Sequence, residues 1–303
     1  MKKLKSIKIS TGTKLFCIAL PFIVFTFAFS YVPLFGWFYA LSDYKMGMLW
    51  YDASYIGFTH FEKFFRHNAE VIRVLRNTMA LSGLWLLTTP LPVLFAILLN
   101  EVRVKRYKSL VQTITTLPNF ISWIIVFGMA FALFSMNGLI NTIFGQLGLP
   151  RSTTGIIGDK DNVWAFQTAL AVWKSLGWNT IIYLAAISGI DPQLYEAAKV
   201  DGASRSRCIW HITIPGIFNT YFVLFILAIS NILNTGFEQY FVFYNPLVAN
   251  KIEVLDFYVY RVGIKLGDYP FSIAVGMMKS LIGISLLFIV NQASKKVRGD
   301  PIF

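Results

Sequence analysis

Residues Glu196–Pro215 read EAAKVDGASRSRCIWHITIP and lie between two long apolar stretches of the chain. The pair Asp191-Pro192 just before them favours a helix start, because Asp caps free backbone N–H groups and Pro suits the first helical position. We therefore expect a short helix over Pro192–Val200. Asp201-Gly202 should end it, and a second short helix should begin at Ala203, because glycine adopts the backbone conformation of a tight turn. The stretch predicts a small helix-turn-helix on one membrane face.

The side chains of this loop suggest a surface that meets another molecule. Glu196 can pair with Lys199 one turn on, or reach across the turn to Arg205 or Arg207. Ala197-Ala198 keep one face small enough to press against a partner. An ordinary solvated loop is the alternative interpretation.

The composition is that of a membrane protein. The mean hydropathy is +0.59, and 56% of the residues are hydrophobic while 14% are charged, as in chains that cross a bilayer. The third apolar run is short, and Tyr107–Leu117 should approach it as helix with a kink at Pro118. The sequence therefore predicts an all-α membrane protein with six spans of roughly 20 residues. The predicted spans are Leu15–Phe38, Val74–Leu99, Asn119–Phe134, Val163–Ile187, Ile217–Leu233 and Phe271–Val290.

Lysine and arginine are distributed unevenly around these spans. The side that holds both termini and the second and fourth connections has a large basic excess, whereas the opposite side is balanced. Because basic residues favour the cytoplasmic side, both termini and the loop 191–215 should be cytoplasmic. The net charge of +12 then has a topological explanation, and no nucleic-acid partner is expected. The basic residues before the first span are Lys2, Lys3, Lys5, Lys8 and Lys14.

We expect a single membrane domain over residues 1–303, with outer connections at 40–73 and 234–269. The first connection is rich in aromatic residues and forms either a small outer cap with a short helix or an interfacial aromatic belt. In the second, a helix is expected near Asp256–Lys265. Irregular polar backbone at membrane depth is tolerated where it lines a cavity, so the part near Asn231–Gln239 should face one.

The loop pattern matches the EAA signature, E-A-A-x3-G-x9-I-x-L-P, of importer-type ABC permeases, with Ile214 in place of the consensus Leu. Nearly the whole chain resembles the oligosaccharide permeases of the carbohydrate-uptake class, and most closely the polysaccharide-type subfamily of Gram-positive bacteria. The further runs that carry this resemblance are FEKFF at Phe61–Phe65, VLRNT at Val74–Thr78, WKSLGWNTIIYL from Trp173, ILNTGFEQY from Ile232, YNP at Tyr244–Pro246 and YVYR at Tyr258–Arg261.

The resemblance implies a fold, partners and a mechanism. It implies a six-helix subunit like the maltose-transporter permeases, paired with a second, homologous permease in the bacterial plasma membrane. A cytoplasmic ATPase dimer would grip the EAA loop, and an extracellular sugar-binding lipoprotein would deliver an oligosaccharide for import. The chain has no GxxxxGK[ST] phosphate loop, so we expect no cofactor here, with ATP and Mg bound by the partner ATPase.

Two sets of candidate residues follow. The coupling set is Glu196, Ala197, Ala198 and Gly202, with Arg205 and Arg207 as ion-pair partners. The substrate-path set comes from the third to sixth spans and offers flat apolar faces for sugar rings or polar groups for hydroxyls, although an aromatic residue in a span can equally pack on a neighbouring helix. Its members are Trp123, Trp173, Lys174, Trp178, Asn179, Tyr183, Asn231, Asn234, Glu238, Gln239 and Lys279.

Lys174 and Lys279 lie inside predicted spans, where an ammonium group must face the bundle interior, pair, or reach water. One interpretation is that they attract an acidic sugar. The other, for Lys174, is that it snorkels to water or bonds backbone carbonyls.

Other functional classes fit the sequence less well. The three histidines, His60, His67 and His211, are scattered between the two sides, so they predict no metal or acid–base site. A secondary transporter is expected to place acidic residues within its spans, and Glu238, near a span end, is the clearest candidate. An ABC permease for a non-sugar solute is the more serious alternative.

Overall fold

The computed structural model describes residues 10–49, 51–66 and 68–298. Short π and 3-10 segments extend several of its α-helices. The α-helices of the described part are α1 (Thr11–Thr26), α2 (Thr59–Arg66), α3 (Asn68–Thr88), α4 (Pro90–Glu101), α5 (Lys105–Thr116), α6 (Trp123–Phe134), α7 (Leu139–Gln146), α8 (Val163–Ser188), α9 (Pro192–Val200), α10 (Arg205–Cys208), α11 (Ile214–Ser230), α12 (Glu238–Phe243), α13 (Ala249–Ile252), α14 (Leu255–Tyr260) and α15 (Tyr269–Arg298).

Six helical segments of the described chain are long and apolar enough to cross a membrane, which confirms the all-α, six-span prediction. Lys2, Lys3, Lys5 and Lys8 lie outside the described residues, and the cytoplasmic position of the termini stays a prediction. The six segments are Thr11–Leu41, Ala69–Glu101, Trp123–Gln146, Val163–Ser188, Arg205–Ser230 and Tyr269–Gln292.

The third span is kinked where the sequence predicts it. Helix α5 ends at Thr116, the chain passes through a 3-10 turn over Leu117–Phe120, and α6 begins at Trp123 with the Ser122 hydroxyl as its N-cap. Pro118 within this turn confirms the kink, because a proline cannot continue a regular helix. The segment long enough to cross a membrane extends further than expected, through α7 to Gln146.

The fifth span begins earlier than Ile217. Helix α10 passes through a π-helical turn, Ile209–Thr213, directly into α11. The expected second helix of the loop therefore begins at Arg205 instead of Ala203, and it continues into the fifth span rather than ending within the loop. Proline at position 215 is tolerated because it falls at the first positions of α11, immediately after a wide turn in which the Ile214 N–H donates to the Ile209 carbonyl.

The chain folds into two compact units. This division does not test whether residues 1–303 form one membrane domain, which stays a prediction. The first unit comprises described residues 10–66 and 259–278. Within it, α2 confirms the short helix expected in the first outer connection. Lys63 of α2 donates to Asp268 at 2.6 Å, and Asp268 also accepts the N–H of Phe271 at 3.3 Å at the start of α15.

The second unit comprises described residues 68–258 and 279–298, and α8 is its central helix, packed against α3, α4, α5 and α11. Helix α8 comes very close to α5 at Gly177, where an added Cβ would overlap the backbone carbonyl of Thr115. Only glycine lets the backbones of α5 and α8 come this close.

The VLRNT run, Val74–Thr78, forms hydrogen bonds with the outer connection that precedes α14 in this unit. Asn77 donates to the carbonyls of Asn250 and Glu253, both at 3.0 Å, and the hydroxyl of Thr78 accepts the N–H of Leu255 at 2.9 Å. Arg73 pairs with the buried carboxylate of Glu253 at 2.7 Å. These bonds satisfy backbone groups that would otherwise be left unpaired in the interior.

Candidate coupling loop and substrate cavity

The coupling loop, residues 191–215, has the local structure that its sequence predicts in the first half. The carboxylate of Asp191 accepts the N–H of Gln193 at 2.9 Å, and α9 then covers Pro192–Val200 as expected. Gly202 has a φ of +73°, a conformation that side chains with a Cβ rarely adopt. The glycine therefore sets the angle between α9 and α10.

The surface of this loop is open to a partner. Five of the six predicted coupling residues are exposed, and Ala198 is half-buried. Within the described part of the chain the Glu196 carboxylate forms no ion pair within 4.0 Å, so the expected bridges to Lys199, Arg205 or Arg207 are not formed. Sequence reasoning missed three large apolar side chains that the loop leaves exposed, which are Leu194 at 52%, Val200 at 88% and Trp210 at 67%.

One contact ties the two halves of the loop together. The hydroxyl groups of Tyr195 on α9 and Thr213 are 2.9 Å apart, and Thr213 is buried directly before α11. Because α10 is continuous with α11, α9 is joined to the fifth span both through this bond and through the backbone.

Two adjoining cavities, of about 310 and 360 Å³, lie between the second, fourth and fifth spans. Trp85, Ala228 and Asn231 line both, so we consider the two together and call them the candidate substrate cavity. It is bounded by α3 and α4 on one side, α8 on another, and α11 with the chain that follows it. The irregular segment Asn231–Gln239 contributes to its wall, which confirms the expectation that this segment faces a cavity.

The cavity wall is largely apolar and carries aromatic, amide and hydroxyl groups, and none of its lining residues is charged. Asn234 donates to the side chain of Asn231 at 3.0 Å, and the hydroxyls of Thr89 and Tyr221 are 3.2 Å apart beside it. Burial raises the pKa of the Tyr240 phenol well above its ordinary value, with a further contribution from the Asp256 carboxylate. Tyr240 therefore remains a neutral hydroxyl in the wall.

Five of the predicted path residues line this cavity: Asn179, Tyr183, Asn231, Asn234 and Gln239. Gln239 is buried, and its side-chain NH2 group donates two hydrogen bonds of 2.8 Å to Gln167 of α8, one to the backbone carbonyl and one to the side-chain oxygen. The other six predicted residues lie outside this lining, and they are Trp123, Trp173, Lys174, Trp178, Glu238 and Lys279.

Trp85 is the aromatic residue that sequence reasoning missed. It lies on α3 and is shared by both parts of the cavity, whereas Trp178 packs edge-on against Phe120 at 5.7 Å. Ser82, Thr88 and Thr89 of the second span line the cavity together with Trp85, and their helical spacing is the signal that could have indicated which face of this helix meets the interior.

Both membrane lysines are engaged by protein groups. Lys174 donates to the carbonyl oxygens of Asn119 at 2.7 Å and Pro118 at 3.3 Å, and its ammonium lies 5.6 Å from the centre of the Trp123 ring. The structure therefore agrees with the interpretation in which Lys174 bonds backbone carbonyls. Lys279 forms an ion pair with Asp256, as the requirement to pair or face the interior predicts. In the described part of the chain, no group of three or more His, Cys, Asp or Glu residues is arranged to hold a metal ion.

Comparison with known proteins supplies the family context. Residues 88–299, more than half of the chain, match the family described as binding-protein-dependent transport system inner membrane component. Protein LplB of Bacillus subtilis strain 168 is 38% identical over 291 residues, which cover 95% of this chain and 91% of that protein.

Two further similarities concern transporters of known cargo. The polygalacturonan/rhamnogalacturonan transport system permease protein YteP of the same organism is 37% identical, with 98% of this chain and 92% of that protein covered. A solved bacterial alginate ABC transporter, in complex with a periplasmic protein carrying an alginate pentasaccharide, has a chain that superposes with a TM-score of 0.85. That chain is 34% identical, and 95% of this chain and 96% of that chain are covered.

Proposed function

Since the chain belongs to the binding-protein-dependent transport system inner membrane components, we propose that it conducts an oligosaccharide into a bacterial cell. As a member of this family it is a multi-pass membrane protein, the permease subunit of an ABC transporter that works with a binding protein, and it is not a catalytic subunit. Its cargo, its other partners and its orientation in the membrane are parts of the proposal.

The observation that carries the cargo assignment is an uncharged cavity whose largely apolar wall carries aromatic, amide and hydroxyl groups. Sugar rings present C–H faces that stack on aromatic side chains, and hydroxyls that take paired hydrogen bonds. Trp85 provides a stacking surface, while Asn179, Asn231 and Asn234 provide amide groups. Relatives that carry polygalacturonan and alginate support the same class of cargo.

The proposed assembly contains a second homologous permease, a cytoplasmic ATPase dimer that binds ATP and Mg, and an extracellular sugar-binding lipoprotein. Both termini and the coupling loop face the cytoplasm of the bacterial plasma membrane. The exposed apolar side chains of the coupling loop support a docking role. Glu196, Ala197, Ala198 and Gly202 form the centre of that surface, with Arg205 and Arg207 at its edge.

The proposed coupling follows the backbone. Closure of the ATPase dimer moves α9, provided that its contacts differ between the open and closed states, because an equal contact shifts no equilibrium. Movement of α9 reaches α11 through the Tyr195–Thr213 contact and through the continuous helix from α10. The outer half of α11 lines the cavity from Leu224 to Ala228, so the same helix meets the ATPase at one end and the sugar at the other.

The test is ATP hydrolysis by the purified complex in lipid, with its binding protein and a panel of neutral oligosaccharides, acidic oligosaccharides, peptides and amino acids. We expect stimulation by oligosaccharides only. Stimulation by peptides or amino acids alone would replace the sugar assignment with a non-sugar permease.

The role of the coupling loop is tested in the same assay at Gly202. Gly202→Val should abolish sugar-stimulated hydrolysis, because a β-branched residue is strained at this positive φ. Gly202→Asn is the matched control and should retain most of the activity, because Asn tolerates this conformation. Equal activity of the Val variant and the native protein would remove the loop from the coupling mechanism.

A further inference from the structure

The carboxylate of Asp256 joins two parts of the chain through its two oxygens. One oxygen pairs with Lys279 on α15, and the other accepts the backbone N–H of Gly236 at 3.1 Å. The exposed fractions of the two side chains are 15% for Lys279 and 19% for Asp256. Gly236 lines the substrate cavity, so this ion pair is bonded directly to the cavity wall.

The wall segment Asn231–Gln239 is held at both ends by other elements. Near its start, the hydroxyl of Ser82 on α3 donates to the carbonyl of Ile232, and at its end Gln239 donates to Gln167 on α8. Between these anchors, Gly236 has a φ of +87°, and the Thr235 hydroxyl is buried with no hydrogen-bond partner in the described structure. The bond from Gly236 to Asp256 therefore fixes the middle of the segment.

A partly buried ion pair is weak evidence for stability, because the desolvation of both charges offsets their attraction. Neither Lys279 nor Asp256 lines the cavity itself. The geometry of the pair gives it another use, since the ammonium group of Lys279 holds the carboxylate in the orientation that reaches Gly236.

We propose that Asp256 is a positioning residue of the substrate cavity. It holds the backbone of Gly236, and with it the amide side chain of Asn234, in the geometry that receives the sugar, and Lys279 holds Asp256. The expected effect on transport rests on the proposed function. The position of the wall segment can be measured without any sugar.

The test compares two neutral double variants that differ in one acceptor. Asp256→Asn/Lys279→Met retains an oxygen for the Gly236 N–H, and Asp256→Ala/Lys279→Met removes it, while neither leaves an unpaired charge. The reporter is the labelling rate of Asn234→Cys by a soluble maleimide, in the assembled transporter with Cys17→Ser and Cys208→Ser. Because the Ala double variant lacks one hydrogen bond that the Asn double variant keeps, we expect it to be labelled roughly fivefold faster.

Equal labelling of the two double variants would overturn the proposal, because the acceptor would then be irrelevant. Lys279→Met alone serves where the Ala double variant does not assemble. It frees the Asp256 carboxylate from its ion pair, so it should label faster than the Asn double variant, and labelling at the native rate would overturn the role of Lys279 in holding Asp256. Lys63→Met breaks the other Lys–Asp pair described above, with Asp268, and should leave labelling at position 234 unchanged.

Sugar transport by the same variants without the reporter cysteine gives the functional readout. We expect roughly fivefold slower transport for the Ala double variant than for the Asn double variant. A native complex that no oligosaccharide stimulates would reject the proposed function and still leave the labelling result to decide the position of the wall segment.

Discussion

The coupling loop and the substrate cavity are built in opposite ways. The bonds that shape the loop join neighbours in sequence, such as Asp191 with Gln193 and Lys199 with Gly202. The bonds that shape the cavity wall join residues far apart, with 72 positions between Gln167 and Gln239 and 150 between Ser82 and Ile232. Local structure with an open surface can be altered without unfolding the protein, whereas the cavity depends on the packing of three spans.

The comparison is tested most severely at Gly177. Gly177→Leu should reduce the yield of monodisperse permease by roughly tenfold or more, because the backbone carbonyl of Thr115 cannot yield as a side chain would. The measurement is size-exclusion chromatography after solubilisation. Gly128→Leu is the control, since an added Cβ there meets nothing within 4 Å. Equal yields of the two variants would contradict the close packing of α5 and α8.

The open surface of the coupling loop is tested at Val200. Val200→Asp should fold normally, because the native side chain is 88% exposed, but should lower sugar-stimulated ATP hydrolysis about tenfold by placing a charge in the docking contact. Co-purification with the ATPase separates lost docking from lost transmission. Val104→Asp, at an exposed position outside the loop, should behave as native. A normal Val200→Asp variant would show that this part of the surface is not contacted.

The cavity side chains should give smaller and graded effects, and Trp85 the largest among them. Trp85→Ala should raise the sugar concentration for half-maximal uptake into proteoliposomes by roughly three- to tenfold, which is the value of one aromatic stacking contact. Trp85→Phe should retain most of the affinity. A larger effect of Trp178→Ala than of Trp85→Ala would place the stacking surface elsewhere.

The smallest effect is expected at Lys174, which supports the backbone rather than the sugar. Lys174→Met should lower the Tm by roughly 2–4 °C, because two carbonyl groups lose a donor while a desolvated charge is removed. The ratio of acidic to neutral sugar transport should not change. A selective loss of acidic-sugar transport would establish the alternative interpretation, in which Lys174 attracts a charged cargo.

The local elements of this protein were predictable from short stretches of sequence. An Asp-Pro pair starts α9, a glycine ends it, and Pro118 marks the kink before α6, because each signal acts within a few residues. The continuous helix from Arg205 to Ser230 was not predictable in this way. Proline at position 215 normally indicates a break, and the π-helical turn that accommodates it leaves no pattern in the sequence.

The cavity could be predicted only in part. Amides in membrane spans must find polar surroundings, and this requirement selected Asn179, Asn231 and Asn234, which line the cavity, while their contact with a substrate stays a prediction. The same reasoning passed over Trp85, because it took candidates only from the third to sixth spans and did not use Ser82 and Thr89, which mark the cavity-facing side of the second span. The partner of Lys279 was also hidden, since Asp256 comes from an outer connection and approaches through the fold rather than through the sequence.

The contacts of α8 with the kink before α6 have a mechanical consequence. Gly177 brings α8 against the backbone at Thr115. One helical turn away, Lys174 donates hydrogen bonds to the carbonyls of Pro118 and Asn119. Neither rotation of α8 about its axis nor sliding along it can occur without losing one of these contacts. We therefore expect the fourth span and residues 115–119 to move together during transport, so that relative motion falls on the opposite, cavity-facing side of α8.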